Sequence, residues 1–266
     1  MTSIKSMGGM LHPTSATTRI IVALRAYFDE SGTHWGGPLS CDVFVLCGYI
    51  APESLWDDNS PQSFVQKWAS VMHGVPFHAT VMESNPQADT VKPMLADVVI
   101  GSGVIGIGGG VHIPTFRRLM QSYVVKNEAL SDPYLFLFNN VILEAIERSA
   151  MFIGENPAEP IGFVFANTAL WSAAAHDLYL KMQNQIEWQN RSRLGAVAFE
   201  DMERFVPLQA ADHIAYETYH LMNDPPGTPV RPIMNKFRNW PQHHGRIWKE
   251  PQIQQLIEEC ERDGRV

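Results

Sequence analysis

The 266-residue chain has only three cysteines, Cys41, Cys47 and Cys260, and none forms a C-x-x-C pair. That excludes a disulfide scaffold and argues against a zinc ribbon or a thioredoxin-like redox site. Cys41 and Cys47 fall at same-face spacing in one apolar run, where they read as small core residues of a protein in a reducing cytoplasm. Long hydrophobic runs are also scarce. Ile20 to Leu24 is broken by Arg25, far short of the roughly 20 apolar residues of a spanning helix, and it lacks a secretory cleavage pattern. Basic charge is thin: 20 Lys and Arg face 28 Asp and Glu, a net charge of −8. That argues against coating nucleic acid by bulk attraction. G-x-x-x-x-G-K-[ST], H-E-x-x-H, G-x-S-x-G and internal repeats are all missing. Gly101-x-Gly103-x-x-Gly106 matches a dinucleotide-binding pattern, but Gly-rich apolar chain follows where that pattern needs a helix N-terminus. The match is read as accidental.

Apolar material is plentiful. Hydrophobic residues make up 45% of the chain, with 13 Phe, 7 Trp and 7 Tyr, which excludes a disordered segment and supports a sizeable core. Residues 21–31 read as an apolar strand and residues 42–50 as its hairpin partner, joined by a Gly- and Pro-bearing loop. Helical spacing of Trp56, Phe64, Trp68 and Met72 predicts a helix between Ser54 and His73. Further helices are predicted over Thr90–Val99, Tyr134–Met151, Ser172–Trp188 and Pro207–Met222, and strands over residues 103–113, 161–166 and 195–199. The order predicts a mixed α/β sheet with helices on its faces. Residues 1–19 read as a flexible polar tail, 20–222 as the α/β domain and 223–266 as a basic and aromatic C-terminal extension. Asp224-Pro225-Pro226-Gly227 sets that boundary because it cannot continue a helix.

Two acidic segments carry the functional signal. Asp29 and Glu30 end the first strand in Tyr27-Phe28-Asp29-Glu30-Ser31-Gly32. Strand alternation points them to opposite faces, so only one is expected at a given site. In Leu208-Gln209-Ala210-Ala211-Asp212, Asp212 lies beside an apolar helical stripe, where a carboxylate is costly unless paired, hydrogen-bonded or bound to a metal. A structural ion pair with Arg204 is the plainer alternative. A third feature is the stretch from Thr228 to Lys249, with five basic residues and no acid. Arg231, Lys236 and Arg238 could hold phosphates while Phe237, Trp240 and Trp248 stack on bases. Alternatively, those aromatics pack back on the body.

Together, Asp29-Glu30-Ser31-Gly32 and Leu208-Gln209-Ala210-Ala211-Asp212 resemble the signature ends of domain-of-unknown-function family 3800, over roughly residues 25 to 222. That family resembles the ribonuclease H-like superfamily, whose nucleases hold metal ions with acids from the first strand, a later strand and a late helix. The resemblance implies a ribonuclease H-like mixed sheet with an antiparallel hairpin start and then parallel strands. It implies Asp29 and Asp212 as catalytic metal ligands for Mg²⁺ or Mn²⁺. At the later strand's end the chain has Asn167, an amide without charge, which is expected to orient water or substrate. Asp201 matches an acid the family often carries and is the expected third ligand, with Glu200 and Glu83 as further candidates. His78 also looks family-like. Two such ions about 4 Å apart activate water and stabilise the leaving oxygen of a phosphodiester. The expected function is a divalent-metal-dependent nuclease acting on nucleic acid. The alternatives are a catalytically degenerate relative that binds nucleic acid or a protein, and a small-molecule hydrolase. The sequence gives no signal for oligomeric state.

Overall fold

A computed structural model describes residues 24–32, 42–56, 63–121, 132–153 and 159–262. Cys41, the tail 1–19 and most of the first loop lie outside the described residues. In chain order the elements are β1 (Leu24–Ser31), β2 (Val43–Pro52), α1 (Phe64–Val71), α2 (Ala79–Glu83), α3 (Ala88–Ile100), β3 (Ile105–His112), α4 (Ile113–Met120), α5 (Pro133–Arg148), α6 (Ala150–Ile153), β4 (Ile161–Ala166), α7 (Ser172–Asn184), β5 (Leu194–Glu200), α8 (Val206–Asn223), α9 (Pro232–Arg238), β6 (His243–Trp248) and α10 (Glu250–Arg262).

The strands form one mixed sheet in the order β5-β4-β1-β2-β3-β6. β1, β2 and β3 are an antiparallel meander, with Asp29 opposite Cys47 and Cys47 opposite Gly108. β4 is parallel to β1, β5 to β4 and β6 to β3. All strands except β2 therefore end at the same rim. The expected hairpin start followed by parallel strands is present, and helices cover both faces.

Strand alternation sorts the core into two layers. On β2, Phe44, Leu46 and Ile50 face α4, α5, α7 and α10. Val43, Val45, Cys47 and Tyr49 face α1, α2, α3, α8 and α9. The β3 glycines belong to this packing. A Cβ on Gly108 would lie 2.3 Å from Cys47 Sγ, and one on Gly110 would lie 2.2 Å from Met222 Sδ, so bare backbone lets β2 and the end of α8 close in. Gly101 and Gly103 belong to the turn after α3 and Gly106 to β3, so the glycine pattern lacks its strand–turn–helix context.

Residues from 223 onward were expected as an extension. Instead, β6 is the sixth strand of the sheet, and Phe237 and Trp240 fill one core layer while Trp248, Ile253, Ile257 and Cys260 fill the other. All three aromatics of the basic stretch are buried, so they pack on the body and are not free to stack on bases. The long helix expected from Ser54 is α1, which begins at Phe64 with Ser63 Oγ accepting from the Gln66 N–H. The sequence reading passed over α2, α4, α9, β6 and α10. No helix among the described residues is long and apolar enough to cross a membrane.

Candidate functional site

The site lies at the rim, at the carboxyl ends of β1, β4 and β5, where β1 has an antiparallel neighbour on one side and a parallel one on the other. Crevices at such a switch in strand order are where open α/β sheets bind ligands. A cleft of ≈ 780 Å³ there is lined by Asp29, Glu30, Asn167, Asp201 and Asp212, with His78, Thr80, Tyr216 and Tyr219 at its walls. The two acidic motifs, at opposite ends of the sequence resemblance, meet in this cleft.

Asp29 and Glu30 both line it, contrary to the alternation argument. β1 makes its last pairing with β4 at Phe28 opposite Phe165, yet pairs with β2 as far as Ser31. Past Phe28 the seam between β1 and β4 is open, so side chains from both pleats reach the same crevice. The Glu30 N–H donates to Asp29 Oδ1 at 2.8 Å, and Glu30 Oε2 is buried without a hydrogen-bond partner.

α8 supplies Asp212. Gln209 and Asp212, three residues apart, share a helical face and grip the segment before α2. The Phe77 N–H donates to Gln209 Oε1 at 3.0 Å and the Ala79 N–H to Asp212 Oδ2 at 2.7 Å. Gln209 Nε2 donates to the Glu203 carbonyl at 3.1 Å. His78 Nδ1 sits 3.7 Å from Asp212 Oδ2 and 3.0 Å from Thr80 Oγ1, so the family-like histidine has a place beside the acid. Beneath the cleft a charge-balanced network, buried at Lys92 and Glu217, ties α8 to α3 and α9. Lys92 pairs with Glu217 at 2.7 Å and Glu83 at 2.8 Å, and Arg231 with Glu83 at 2.9 Å and Glu217 at 3.1 Å. Lys92 lies 5.0 Å from the centre of the Tyr216 ring, whose residue forms part of the cleft wall.

Burial raises the proton affinity of all three acids, and the charge of Asp212 adds to it at Asp29 and Glu30. Burial, then the charges of Glu30 and Asp212, hold Asp29 well above the usual carboxylate range. Burial lifts Glu30 to about 7, with Asp212 adding to it. Burial lifts Asp212 to about 6 against the opposing pull of the Ala79 N–H, His78 and Lys92. Three carboxylates are thus crowded in one electrostatic field, the condition a cation relieves.

The remaining candidates stand apart from that field or at its edge. Asn167 follows β4, its N–H bonded to the Glu200 carbonyl and its Oδ1 accepting from Ser172 Oγ at 3.1 Å. Asp201 is exposed, and its Oδ1 caps the next turn by accepting from the Glu203 N–H at 3.0 Å. Among the described residues no group of three or more His, Cys, Asp or Glu side chains is arranged to hold a metal ion. The expected trio of Asp29, Asp201 and Asp212 therefore shares a cleft without forming a ready-made cage. Arg231, Lys236 and Arg238 do not line the cleft. Arg231 and Glu83 are taken up in the buried network, and Lys236 pairs with Asp97 at 2.6 Å. Glu30 is the site residue the sequence reading set aside, because strict alternation holds inside a sheet and not past its last pairing.

The donor set suits a hard divalent ion in kind, since it consists of carboxylate oxygens. Asp29 and Asp212 would hold it from the protein, with water and substrate oxygens completing the shell, as Mg²⁺ commonly binds. No protein-family model matches the chain, and no curated protein matches it either.

Proposed function

We propose that the protein is a divalent-metal-dependent nuclease of ribonuclease H-like fold, related to domain-of-unknown-function family 3800, working at the rim cleft. The observation that carries this reading is that Asp29 and Asp212, from the first strand and a late helix, line one cleft and share one electrostatic field. The antiparallel start followed by strands parallel to β1 agrees with that fold, as does a late helix bearing an acid. Mg²⁺ or Mn²⁺ would supply Lewis acidity toward a phosphodiester and a more acidic bound water.

The chain's own groups divide the remaining work. Asp29 and Asp212 would hold the ion, and Asp212 is itself held in place by the Ala79 N–H. Asn167 Oδ1 and the His78 imidazole stand at the cleft wall, where they can orient water or a phosphate oxygen. Glu30, with one oxygen unpartnered, can hold or accept a proton at that oxygen.

The test is calorimetric titration of Mn²⁺ into the wild type and Asp29→Asn/Asp212→Asn, beside cleavage of end-labelled DNA and RNA in Mg²⁺. Binding and cleavage in the wild type, both lost in the double variant, are expected. Equal Mn²⁺ binding in both proteins, or none in the wild type, refutes the reading.

A second reading, a degenerate relative that binds nucleic acid without cutting it, draws on Asn167 where an acid is usual and on the incomplete ligand set. It requires oligonucleotide binding that is indifferent to Asp29→Asn/Asp212→Asn, with no cleavage in any metal.

A further inference from the structure

A second groove lies on the same rim. β3 and β6 end beside the start of β2, with Val43 opposite His112 and Val111 opposite Trp248. Here a cleft of ≈ 570 Å³ opens between His112, Thr115, Arg238 and Lys249, over an apolar floor that includes Met222 and Ile247. Its charge is opposite to that of the acidic cleft. Arg238 and Lys249 are exposed, and neither has an ion-pair partner among the described residues. The acid in the lining, Glu250, is engaged by Arg118 at 2.6 Å. Of the five basic residues between Thr228 and Lys249, these two are the ones turned to the rim.

α8 joins the two clefts. Asp212, Tyr216 and Tyr219 line the acidic one, while Leu221 and Met222 line the basic one. Asp212 and Met222 are ten residues apart on one helix, about 15 Å along its axis, and the two linings come closest at Tyr219 and Leu221.

We propose that the groove at the ends of β3 and β6 seats the phosphodiester backbone of a single nucleic-acid strand, with Arg238 and Lys249 as its phosphate contacts and His112 and Thr115 as flanking donors. The inference rests on the nuclease reading of the neighbouring cleft. It answers a difficulty in that reading: a polyanion approaching an acidic cleft needs an anchor of opposite sign, and the groove provides one against the same helix that carries Asp212. Arg231 and Lys236, engaged within the fold, have no part in it.

The experiment is fluorescence anisotropy of a labelled single strand of about 12 nucleotides in EDTA, across about 50 to 200 mM salt. The proteins are the wild type, Arg238→Gln/Lys249→Gln and the charge-conserving Arg238→Lys/Lys249→Arg. Each single-strand phosphate contact contributes about 0.7 to the slope of log affinity against log salt. The glutamine pair should therefore flatten the slope by about 1.4 and weaken binding most at low salt. The charge-conserving pair should keep the wild-type slope. An unaltered urea midpoint shows that the fold is intact, since both positions are exposed. Wild-type slope and affinity in the glutamine pair, or no salt-dependent binding by the wild type, overturns the proposal. Because the measurement is made without divalent metal, it is separate from Mn²⁺ titration of the wild type. Retained Mn²⁺ binding beside a failed anisotropy test refutes the groove alone.

Discussion

Asp212→Asn separates the charge of this residue from its structural hydrogen bond. The asparagine can still present Oδ1 to the Ala79 N–H, which Asp212 now satisfies at 2.7 Å, but it carries no charge. Burial raises the Asp212 carboxyl from 3.8 to about 6 in the folded protein. A carboxyl with a raised folded pKa contributes stability below its unfolded pKa, near 3.8, and that contribution is lost as pH rises through about 6. The shift is about two pH units, so above pH 7 the ionised group costs about 3 kcal/mol of folding free energy. Asp212→Asn should therefore be the more stable protein at pH 7.5, by up to about 3 kcal/mol, and by less than about 1 kcal/mol at pH 4. Asp212→Ala also removes the acceptor for a buried N–H, which costs about 1–3 kcal/mol. It should fall below the asparagine variant at every pH. Urea unfolding followed by tryptophan fluorescence at a series of pH values reads both differences. A less stable Asp212→Asn at pH 7.5 would mean that His78 and Lys92 outweigh burial and that Asp212 is a structural ion-pair residue. The functional argument would then lose its physical basis.

His213 is fully buried with neither ring nitrogen partnered, packed among Trp68, Phe77 and Phe237. Burial, then Lys92 and Arg231, push it down to about 3. A depressed folded pKa leaves full stability above the unfolded value of about 6.5, and stability declines as pH falls toward 3. His213→Leu should therefore gain about 2 kcal/mol on the wild type between pH 7 and pH 5 in urea melts; a gap that does not change with pH counts against a neutral buried imidazole. Gly108→Ala should destabilise by about 1–3 kcal/mol through overpacking, and by more than Gly110→Ala. The reason is that the new methyl meets Cys47 Sγ, Cβ and Cα at 2.3, 3.1 and 3.3 Å, whereas at Gly110 its closest contacts are with the end of the flexible Met222 side chain, with Val45 Cγ2 at 3.2 Å. Equal midpoints for the two alanine variants would contradict this.

Much of the fold was legible because its signals are local. Ile161 to Ala166 is a six-residue apolar run that stops where the strand stops, and Pro207 in the first turn marks the start of α8 within a residue. The pairing of the first-strand and late-helix acids was expected only from the family resemblance of their two motifs, not from composition or periodicity. What was not legible depends on contacts distant in sequence. β6 reads His-His-Gly-Arg-Ile-Trp, with no alternation to announce a strand, and it forms because β3 offers an unpaired edge beside it. The basic residues of that stretch are close in sequence yet separate in space: Arg231 turns inward to Glu217, while Lys249 reaches the rim. Glu30 was set aside by a rule valid only where strands are paired on both sides, which ends for β1 at Phe28. The integration of β6 and α10 also means that truncation after Met222 would strip both core layers. Nucleic-acid binding by the C-terminal segment therefore has to be tested by point substitution.

The chain's other buried charges show that the acidic cleft is a deliberate exception. Lys92, at 2% exposure, is matched by Glu83 and Glu217, Arg231 completes a balanced set of four, and Arg25, at 1%, is paired with Glu53 at 2.8 Å. In these sets buried charge is neutralised at ion-pair distance, as burial in a poorly polarisable medium demands, and the buried Arg193 donates to Ser149 Oγ at 2.6 Å. Among the described residues no lysine or arginine forms an ion pair with Asp29, Glu30 or Asp212; the His78 imidazole lies 3.7 Å from Asp212. A sequence selected for stability alone would place an arginine here or replace an acid by an amide. Local violations of folding rules concentrate where a protein acts on something else. Asp29, Glu30 and Asp212, gathered without a lysine or arginine partner at the rim where the strand order switches and beside a groove of opposite sign, are such a violation.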